Sequence, residues 1–595
     1  MENDSMKGLK RTHYCGSLRM ENVGQQVVVC GFTARARNLG NLQFIDLRDR
    51  TGILQLAFDE TTDRALFEKA RGVHGEYVLM AKGIVRERES KNPELATGDI
   101  EVDVSDLRVL SKAQTPPFEI LPDSSVKEEL RLKYRYLDLR RSDLQQNILK
   151  RHKIVKAARD YFDNKGFIEI ETPILIKSTP EGARDFLVPS RVHGGKFYAL
   201  PQSPQLYKQL LMVAGFDRYV QFARCFRDED LRADRQPEFT QIDLEMSYVD
   251  IDDVMEIGEG FVQHIFREAL GVDIELPLRR MTYREAMERY GSDKPDLRFG
   301  FEIEDLTDLV RDSGFSVFSS AAVSGSVRAI CVTGGAEVYS RKELDKLTEK
   351  VRGIGGKGLA WVKVHEDGIQ SSFGKFMTDA EMQAILQRMQ AKTGDLLLIV
   401  ADEKNKTVLS VLGMVRLEAG KRMQVIDENR WCFLWITEFP FFEWDEETKT
   451  YVAMHHPFTS PMEEDIDKLD TDKGNVRAKA YDLVLNGIEL SSGSIRITDP
   501  ALQKKMFNAL GLSDEESYQK FGFLTDAFTY GAPPHGGMGL GLDRLIMLML
   551  HEDNLRNVIA FPKVQNMMEL MTECPSDVDD VQLSELHIAS VDDKK

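Results

Sequence analysis

The sequence lacks several features that define common protein classes. Its 595 residues contain no apolar run of the roughly 18 residues that a membrane-spanning helix needs. The polar start, MENDSMKGLKR, has no apolar stretch of the kind found in signal peptides. The six cysteines are scattered and form no C-x-x-C pair, which disfavours a disulfide framework or a zinc site. We therefore expect a cytoplasmic protein with no membrane partner.

The chain also lacks an excess of positive charge, since acidic residues outnumber basic ones and the formal net charge is −19. A protein that binds polyanions without specificity is usually basic, so this balance argues against DNA as a partner. Any surface for nucleic acid must then be a local patch on an acidic body. Walker motifs, a Rossmann fingerprint and internal repeats are missing as well, so none of these identifies a nucleotide site.

The N-terminal part of the chain contains a series of short apolar strands. A helical stretch, 62–71, lies between the third and fourth strands, and the segment has equal numbers of basic and acidic residues. Three strands, a helix and two strands is the order of an OB-fold, a barrel that commonly binds oligonucleotides. We expect this barrel over 1–112. Its predicted strands are 26–33, 42–47, 53–58, 76–85 and 100–109.

The remaining chain divides by composition into five segments. Residues 113–145 begin with a proline-rich stretch and form a hinge. Strand-rich patterns over 146–297 and 431–570 indicate two halves of one domain. Residues 298–430 mix short helices, strands and many glycines, and we interpret them as a domain inserted between those halves. The acidic tail 571–595 forms a terminal extension, and the predicted fold class is multidomain α+β.

The segment 238–248 has the alternation of a strand with one apolar and one polar face. Phe239, Gln241, Asp243 and Glu245 share the polar face. That face suits a base stacked on Phe239 and an ammonium group beside Asp243. The charge-dense loop before this strand, 227–237, has a simpler interpretation, because such loops are usually solvated surface.

A second pattern is a hairpin over 481–497 with Asn486-Gly487 at its turn, a strong two-residue turn signal. The turn predicts that Asp482 faces Ser491 and that Asp482 and Glu489 lie diagonally on one face. Two carboxylates so placed can share a Mg²⁺ ion with a phosphate. The alternative is two acids that simply face solvent.

Two further segments suit anionic ligands. The glycine-rich stretch 531–544 lets a backbone approach a ligand closely, and a helix starting near Leu542 would aim its N-terminus at phosphate. Arg544 could stack on a base or bind phosphate through two nitrogens. Ser203-Pro204 is a helix start, and Lys208 lies one turn into that helix. A glycine-rich loop alone is weak evidence.

Together these segments resemble the three signature motifs of class II aminoacyl-tRNA synthetases. Residues 166–173 (GFIEIETP) resemble motif 1, a dimer-interface helix and strand ending in proline. Residues 226–239 (FRDEDLRADRQPEF) resemble motif 2, and residues 539–544 (GLGLDR) resemble motif 3. The three occur in the family's order along the chain.

Shorter stretches resemble the bacterial-type aspartyl-tRNA synthetases within that family, and this likeness covers essentially the whole chain. It implies an N-terminal OB-fold and an antiparallel-sheet catalytic domain with an inserted α+β domain. It also implies a homodimer that activates L-aspartate with ATP and transfers it to the 3′ end of tRNA(Asp). The stretches are 178–185 (STPEGARD), 202–205 (QSPQ), 455–459 (HHPFT) and 493–496 (GSIR).

The resemblance assigns roles in the aspartate pocket. Lys208 and Arg496 would neutralise the side-chain carboxylate, and His455 would close over the bound amino acid. Acceptors for its ammonium group would come from Asp243, Glu181 and Gln205. Arg227 would hold the α-carboxylate of aspartate against the α-phosphate of ATP. The whole expected set is Glu181, Gln202, Ser203, Gln205, Lys208, Arg227, Asp243, His455 and Arg496.

The resemblance also assigns the ATP site. Phe239 and Arg544 would sandwich adenine, Glu229 would lie near the base, and Asp482 with Glu489 would hold Mg²⁺. Arg227, Glu489 and Arg544 would be the catalytic residues. The whole expected set for ATP is Arg227, Asp228, Glu229, Gln236, Phe239, Glu489, Gly541, Leu542, Asp543 and Arg544.

In the barrel the resemblance implies an anticodon surface formed by Arg35, Arg37, Phe44 and Gln55. A phenylalanine in such a strand is otherwise most often part of the core. Some bacterial members of the family also charge asparagine tRNA and carry His-Gly after the barrel arginines. This chain has Leu39-Gly40 there, which resembles the members restricted to aspartate tRNA.

Three rival interpretations remain at this point. Asparaginyl- and lysyl-tRNA synthetases resemble the same core. Lysine would be repelled by Lys208 and Arg496, and asparagine would leave those cations facing a neutral amide, at a cost of roughly 1–3 kcal/mol. A tRNA-binding protein that kept the fold without the chemistry is the third. Arg227, Glu489 and Arg544 argue against it.

Overall fold

The computed structural model describes residues 3–179, 183–445 and 447–591. The chain forms two compact units: the first runs to His152 and includes Leu231–Ala233 and Glu552–Asp577, and the second holds the remainder. Across the described ranges, no helix combines the length and apolar character that crossing a bilayer requires.

The strands are numbered in chain order. They are β1 (Gln26–Asn38), β2 (Gln43–Asp49), β3 (Gly52–Phe58), β4 (Val78–Glu87), β5 (Ile100–Ser111), β6 (Ile168–Glu169), β7 (Leu187–Pro189), β8 (Phe197–Ala199), β9 (Arg218–Phe226), β10 (Glu238–Ser247), β11 (Arg279–Thr282), β12 (Ile303–Asp305), β13 (Ser326–Val332), β14 (Ala360–His365), β15 (Gly368–Ser371), β16 (Leu396–Asp402), β17 (Phe433–Thr437), β18 (Phe442–Asp445), β19 (Thr450–Ala453), β20 (Ala480–Leu485), β21 (Ile488–Ile495) and β22 (His535–Gly541).

The α-helices are numbered in the same way. They are α1 (Arg64–Arg71), α2 (Glu128–Lys133), α3 (Arg135–Asp138), α4 (Ser142–Asn164), α5 (Gln205–Val213), α6 (Ile251–Leu270), α7 (Tyr283–Tyr290), α8 (Thr307–Val310), α9 (Ser316–Ser324), α10 (Gly335–Val338), α11 (Arg341–Gly353), α12 (Asp379–Arg388), α13 (Asn405–Arg422), α14 (Lys468–Thr471), α15 (Pro500–Ala509), α16 (Asp514–Phe528), α17 (Leu542–Met549) and α18 (Asp580–Glu585). Short 3₁₀ turns lie at Cys15–Ser17, Met20–Asn22, Gly374–Phe376, Glu463–Asp465, Lys473–Asn475 and Leu555–Asn557.

The first five strands close into a barrel in the order β1-β2-β3-β5-β4, with α1 between β3 and β4 in the chain. Alternate apolar residues such as Val27, Val29 and Leu56 point inward and are fully buried. Asp63 caps α1 by accepting hydrogen bonds from the backbone of Ala65 and Leu66. The predicted OB-fold is confirmed, and β1 extends five residues beyond its predicted end because Arg35–Asn38 also pair with β2.

The second unit contains an eight-stranded sheet in the order β11-β17-β20-β21-β22-β10-β9-β6. Its central pairs are antiparallel, and only the described pairs at the two edges, β11 with β17 and β6 with β9, are parallel. Helix α6 packs its buried apolar stripe beneath the sheet, where a side chain on Gly258 would lie 3.0 Å from the ring of Trp435. The antiparallel catalytic-type sheet of the predicted α+β fold class is confirmed.

A separate five-stranded sheet, in the order β12-β13-β16-β14-β15, lies in the chain between β11 and β17. Strand β16 is buried along its whole length, so its residues pack on both faces. One face forms a core with α11 and α13, and the other forms a core with α9 and α12. This stretch therefore has its own hydrophobic cores on either side of one sheet.

The hairpin β20–β21 departs from the predicted register. Asn486 and Gly487 both have positive φ, at 51° and 84°, as the predicted two-residue turn requires. Val484 does face Glu489, but a bulge follows, so Asp482 lies opposite Ser492 rather than Ser491. The predicted register was wrong because β21 contains one extra residue, Leu490, and nothing in the sequence pattern of the hairpin indicates this bulge.

Candidate active site

The centre of the eight-stranded sheet carries charged side chains on one face. In β10, Asp243 pairs with Gly539 of β22 and Glu245 pairs with Gly537. A Cβ atom at position 537 would lie 2.2 Å from Glu245 Oε2, and one at position 539 would lie 3.2 Å from Asp243 Oδ1. The glycines of β22 therefore leave room for the two carboxylates.

Two buried cations converge on these carboxylates. Lys208 on α5 places its Nζ 3.0 Å from Asp243 Oδ1 and 3.6 Å from Glu245 Oε2. Arg496, just after β21, donates from Nε to Glu245 Oε1 at 2.8 Å and from its terminal nitrogen to Oε2 at 3.0 Å. All four side chains are at most 2% exposed. Glu245 thus bridges the two cations expected to meet an acidic ligand.

Burial and neighbouring charge shift the two carboxylates in opposite directions. Burial raises the pKa of Asp243 above its usual range, despite the attraction of Lys208. Burial also opposes ionisation of Glu245, but Arg496 and Lys208 outweigh it, so the Glu245 pKa falls below its usual value. Asp243 Oδ2 is buried and has no hydrogen-bond partner. That oxygen could accept a hydrogen bond from a ligand's ammonium group.

Two adjacent histidines border this cluster. Burial lowers the pKa of His455 to about 4, and its Nε2 is buried without a partner. His456 lies 2.6 Å from the Arg496 guanidinium through Nε2, and burial together with that cation holds its pKa well below the usual value. Because a guanidinium can only donate, Nε2 of His456 accepts the hydrogen bond. Both rings are therefore neutral near pH 7.

The residues expected to surround the amino acid differ in their contacts. Gln205, at the start of α5, is buried and its amide nitrogen has no partner. Gln202 instead binds the chain nearby, exchanging hydrogen bonds with the Ala183 backbone at 3.0 and 2.9 Å and donating to Asp185 at 2.6 Å. Ser203 is half-buried. Glu181 falls outside the described residues.

The motif 2 residues lie at the end of the β9–β10 pair. The Arg227 guanidinium carbon is 5.1 Å from the Phe239 ring centre, and the positive charge of Arg227 reaches Asp243. Asp228 accepts from Arg184 through its backbone, and Glu229 accepts from Arg235 at 3.2 Å. Gln236 is buried. The structure thus brings Arg227 and Phe239 together beside the buried group of Lys208, Asp243, Glu245 and Arg496, which we call the amino-acid cluster.

Motif 3 joins β22 to α17. Gly541 precedes the helix, Leu542 and Asp543 occupy its first turn, and Asp543 accepts from the Thr240 backbone at 2.8 Å. Arg544 donates to the Glu489 carbonyl at 2.8 Å and to Asp234 at 3.2 Å. Arg544 is therefore held by contacts with both the β20–β21 hairpin, at the backbone of Glu489, and the charged loop 227–237, at Asp234.

Asp482 and Glu489 are the two residues expected to hold Mg²⁺. Asp482 is buried, and its Oδ1 has no hydrogen-bond partner. Burial and then the nearby Glu489 carboxylate raise its pKa well above the usual value. Within the ranges described, no group of three or more His, Cys, Asp or Glu side chains is arranged so that it could hold a metal ion by itself. Two carboxylates fit a Mg²⁺ ion whose other ligands are phosphate oxygens and water.

The four barrel residues expected at the anticodon lie on neighbouring strands. Arg37 pairs with Phe44 across β1 and β2, and its guanidinium carbon is 5.8 Å from that ring. Arg37 donates to Gln55 at 2.9 Å and to Asp46 at 2.9 Å. Arg35 is exposed, and Gln55 is buried. These contacts form one half-exposed face of the barrel, on which the Phe44 ring and the Gln55 amide lie beside the Arg37–Asp46 ion pair.

Three side chains of the amino-acid cluster were not predicted. Glu245 is the counter-ion of both cations, His456 accepts from Arg496, and Ser494 also accepts from Arg496. A signal for Glu245 was present, because it follows Asp243 by two residues on the same strand face and two buried cations need counter-ions. The contacts of His456 depend on pairing distant in the chain, and the sequence gives no sign of them.

Comparisons with known proteins agree with this geometry. The family model "tRNA synthetases class II (D, K and N)" matches residues 127–565, and "OB-fold nucleic acid binding domain" matches residues 27–110. An aspartate–tRNA ligase from Ruminiclostridium cellulolyticum is 58% identical over 98% of this chain and 99% of its own. An aspartate–tRNA(Asp/Asn) ligase from Caldanaerobacter subterraneus is 56% identical over 98% of this chain and 99% of its own.

Solved structures share the fold at low identity. Asparaginyl-tRNA synthetase from Pyrococcus horikoshii, complexed with asparaginyl-adenylate, has a TM-score of 0.58 at 19% identity, covering 93% of this chain and 98% of its own. Aspartyl-tRNA synthetase from Entamoeba histolytica has a TM-score of 0.57 at 20% identity, covering 93% and 92%. These likenesses concern architecture alone. From the family match and the full-length relatives, the chain belongs to the class II aminoacyl-tRNA synthetases, in the family of aspartate–tRNA ligases.

Proposed function

We propose that this enzyme activates L-aspartate with ATP and transfers the aspartyl group to the 3′ end of tRNA(Asp). The observation that carries the proposal is the convergence of Lys208 and Arg496 on one carboxylate, Glu245, beside Asp243. A short acidic side chain suits two fixed cations, and the unpartnered oxygen of Asp243 suits the ammonium group. Gln205 and His455 complete the proposed pocket, and the family resemblance adds Glu181, which lies outside the described residues.

The same charges support aspartate over its close analogues. A lysine side chain would bring a third cation against Lys208 and Arg496. Asparagine would replace a charged acceptor with a neutral amide, and hydrogen bonds to charged groups are worth about 1.5–3 kcal/mol against roughly 1 kcal/mol for neutral pairs. The neutral state of His455 and His456 keeps further positive charge out of the pocket.

ATP would bind between Phe239 and Arg544, with its phosphates toward Arg227 and the pair Asp482 and Glu489. When bound, Mg²⁺ would supply positive charge to the phosphates. Arg227 lies over the Phe239 ring and its charge acts on Asp243, which suits an arginine that holds the α-carboxylate against the α-phosphate. Glu229, Asp228, Gln236 and the motif 3 residues would border the nucleotide.

The activation step then needs no general base, because the carboxylate is already a nucleophile. An oxygen of the aspartate α-carboxylate attacks the α-phosphorus of ATP, the bond to the bridging oxygen breaks, and pyrophosphate leaves. In the second step a 3′-terminal adenosine hydroxyl attacks the acyl carbon, the bond from that carbon to the phosphate oxygen breaks, and AMP leaves with the electron pair while its phosphate oxygen takes up the hydroxyl proton. Fixed guanidinium groups stabilise the charge that develops at phosphorus without reorganisation.

Assembly and tRNA choice belong to the same proposal. Exposed apolar residues around motif 1, including Ile168, Ile174 and Leu175, support a homodimer, because exposed apolar patches of this kind mark contact surfaces. The cytoplasmic location in this proposal follows from a role in translation. Leu39, at the tip of β1–β2, supports a preference for tRNA(Asp) over tRNA(Asn). Light scattering tests the dimer, and charging of purified tRNA(Asn) tests the preference.

Pyrophosphate exchange tests the central claim. The full-length enzyme should exchange pyrophosphate into ATP with aspartate and show at least tenfold lower kcat/KM with asparagine and no exchange with lysine. A variant that combines Arg227→Ala, Glu489→Ala and Arg544→Ala should lose exchange. Equal rates for aspartate and asparagine, or an active triple variant, would show that the assigned roles are wrong.

A further inference from the structure

The segment 291–300 (GSDKPDLRFG) connects α7 to β12 and is fixed by a buried cation. Arg416 on α13 is 1% exposed. It donates to the carbonyl of Gly300 at 3.0 Å and to those of Asp296 and Phe299 at 2.8 Å. These three acceptors are backbone carbonyls rather than carboxylates. The buried Arg416 guanidinium therefore stabilises the backbone of the segment 291–300.

The start of the segment also packs directly on α13. A Cβ atom on Gly291 would lie 2.1 Å from the carbonyl oxygen of Leu409, and one on Gly413 would lie 2.4 Å from the carbonyl oxygen of Gly291. Within the segment, the Asp296 carboxylate accepts from the Arg298 guanidinium at 3.0 and 2.8 Å. The segment is consequently anchored at both ends and internally braced.

The other side of the segment meets the hairpin that carries Glu489. A Cβ atom on Gly487 would lie 3.1 Å from Asp296 Cβ, so the β20–β21 turn rests against the segment. Lys294 Nζ lies 3.8 Å from Glu489 Oε2 and 3.7 Å from Asp293 Oδ1. Asp293 and Lys294 also affect the ionisation of Asp482, in opposite directions. Lys294 thus lies near Glu489, and the charges of Asp293 and Lys294 both act on Asp482.

We propose that Lys294 binds the β- and γ-phosphates of ATP, and hence the leaving pyrophosphate, and that α13 positions it through the segment 291–300. The proposal rests on the function proposed above. It gives a role in the first step of the reaction to a lysine outside the three motifs and to the helix α13 that anchors its segment.

Charge supports a phosphate ligand for Lys294 over a structural ion pair. Asp293, Asp482 and Glu489 together would repel a triphosphate that carries no cation. Lys294 is a cation beside Asp293 and Glu489, and its charge also acts on Asp482. Its side chain is 46% exposed, so an ion pair with Glu489 alone would contribute little to stability. An exposed ammonium on a segment braced by a buried arginine instead suits binding of an incoming anion.

Lys294→Ala tests the proposal directly, with Lys294→Arg as the charge-conserving variant. Lys406→Ala is the matched control, because Lys406 is an exposed lysine of α13 paired with Glu443. We expect Lys294→Ala to raise KM for ATP and for pyrophosphate about tenfold, and to weaken binding of inorganic pyrophosphate to the full-length enzyme in calorimetry by a similar factor. KM for aspartate should stay unchanged. Lys294→Arg should recover most of the binding, and Lys406→Ala should match wild type.

The positioning role of α13 has its own variant. Arg416→Met should raise the same two KM values, and adding Lys294→Ala should then change them little further. If Arg416→Met fails to fold, the Lys294 variants still decide the matter. Wild-type pyrophosphate affinity in Lys294→Ala would overturn the proposal. A wild-type enzyme without aspartate-dependent exchange would instead overturn the proposed function.

Discussion

The amino-acid cluster of the central sheet and the face of the barrel both pair opposite charges, but they differ in burial. Lys208, Asp243, Glu245 and Arg496 are at most 2% exposed at their side chains. On the barrel, the Arg37 side chain is 34% exposed. Because interactions between charges strengthen as water is excluded, the cluster should discriminate sharply between ligands. The barrel should combine several modest contacts, as suits a flexible single strand.

This difference also determines how each region tolerates change. Removing one member of a buried ion pair leaves its partner without compensation, which costs about 3–5 kcal/mol. Removing one member of a half-exposed pair leaves a group that water can solvate, and such pairs are worth about 0.2–1 kcal/mol. Four experiments test the contrast, from the largest expected effect to the smallest.

Arg496→Leu should have the largest effect. It leaves Glu245 without its closest cation, so we expect kcat/KM for aspartate in pyrophosphate exchange to fall by roughly 100- to 1,000-fold or more. Arg280→Leu, which removes a half-exposed arginine paired with Asp252, is the control and should change little. A folded Arg496→Leu enzyme with unchanged kinetics would show that the buried charges of the central sheet tolerate substitution as well as the half-exposed charges of the barrel.

His455→Gln should alter the dependence of stability on pH. Burial lowers the His455 pKa from 6.5 to about 4, so between these values the unfolded chain binds a proton that the folded chain does not. The stability of the wild type therefore falls as pH drops through this window. The part due to His455 is about 2 kcal/mol between pH 7 and pH 5.

Melting midpoints at the two pH values measure this change. His455→Gln should lose less stability than wild type on going from pH 7 to pH 5. His152→Gln, at an exposed histidine of α4, should behave like wild type. Equal losses in wild type and His455→Gln would contradict the burial of a neutral imidazole.

Phe44→Ala should weaken tRNA binding without affecting activation. Stacking of a base on an aromatic ring contributes about 1–3 kcal/mol, so KM for tRNA should rise by roughly 5- to 100-fold. Pyrophosphate exchange, which needs no tRNA in this scheme, should be unchanged. Ile84→Ala, at an exposed apolar residue of β4, is the control. Equal effects of the two variants would argue against a base on Phe44.

Arg35→Ala should have the smallest effect, because this side chain is exposed. If Arg35 contacts a phosphate, its loss should reduce the slope of log affinity for tRNA against log salt by about 0.7. Filter binding at several salt concentrations gives the slope. An unchanged slope with unchanged affinity would place Arg35 outside the contact surface.

Much of the barrel could be predicted from the sequence because its signals are local. Alternating apolar residues and turn residues identified all five strands, and the Asn486-Gly487 turn was identified for the same reason. The end of β1 was missed, because Arg35–Asn38 are held by pairing with β2 rather than by apolar side chains.

The candidate site was predicted in its residue types more than in its contacts. The family resemblance placed Lys208 and Arg496 in one pocket, in agreement with the charge of an acidic ligand, and the two side chains do meet at Glu245. The bridge from Glu245 to Arg496 spans 251 residues of chain, so no local pattern specifies it. The contact of Lys294 with Glu489 was missed for the same reason.

The bulge in β21 has a consequence for which residues can act on the same substrate. In a regular strand, odd and even positions point to opposite faces, so side chains 489 and 496 would lie on opposite sides of the sheet. After Leu490 the extra residue exchanges the faces to which odd and even positions point. Ser492 and the later even positions therefore lie on the face of Asp482, and Ser492 is in register with Gly539 and, through it, with Asp243. This single extra residue thereby lets one strand present Glu489, proposed for the phosphates, from an odd position, and Arg496, proposed for the amino acid, from an even position just after the strand ends.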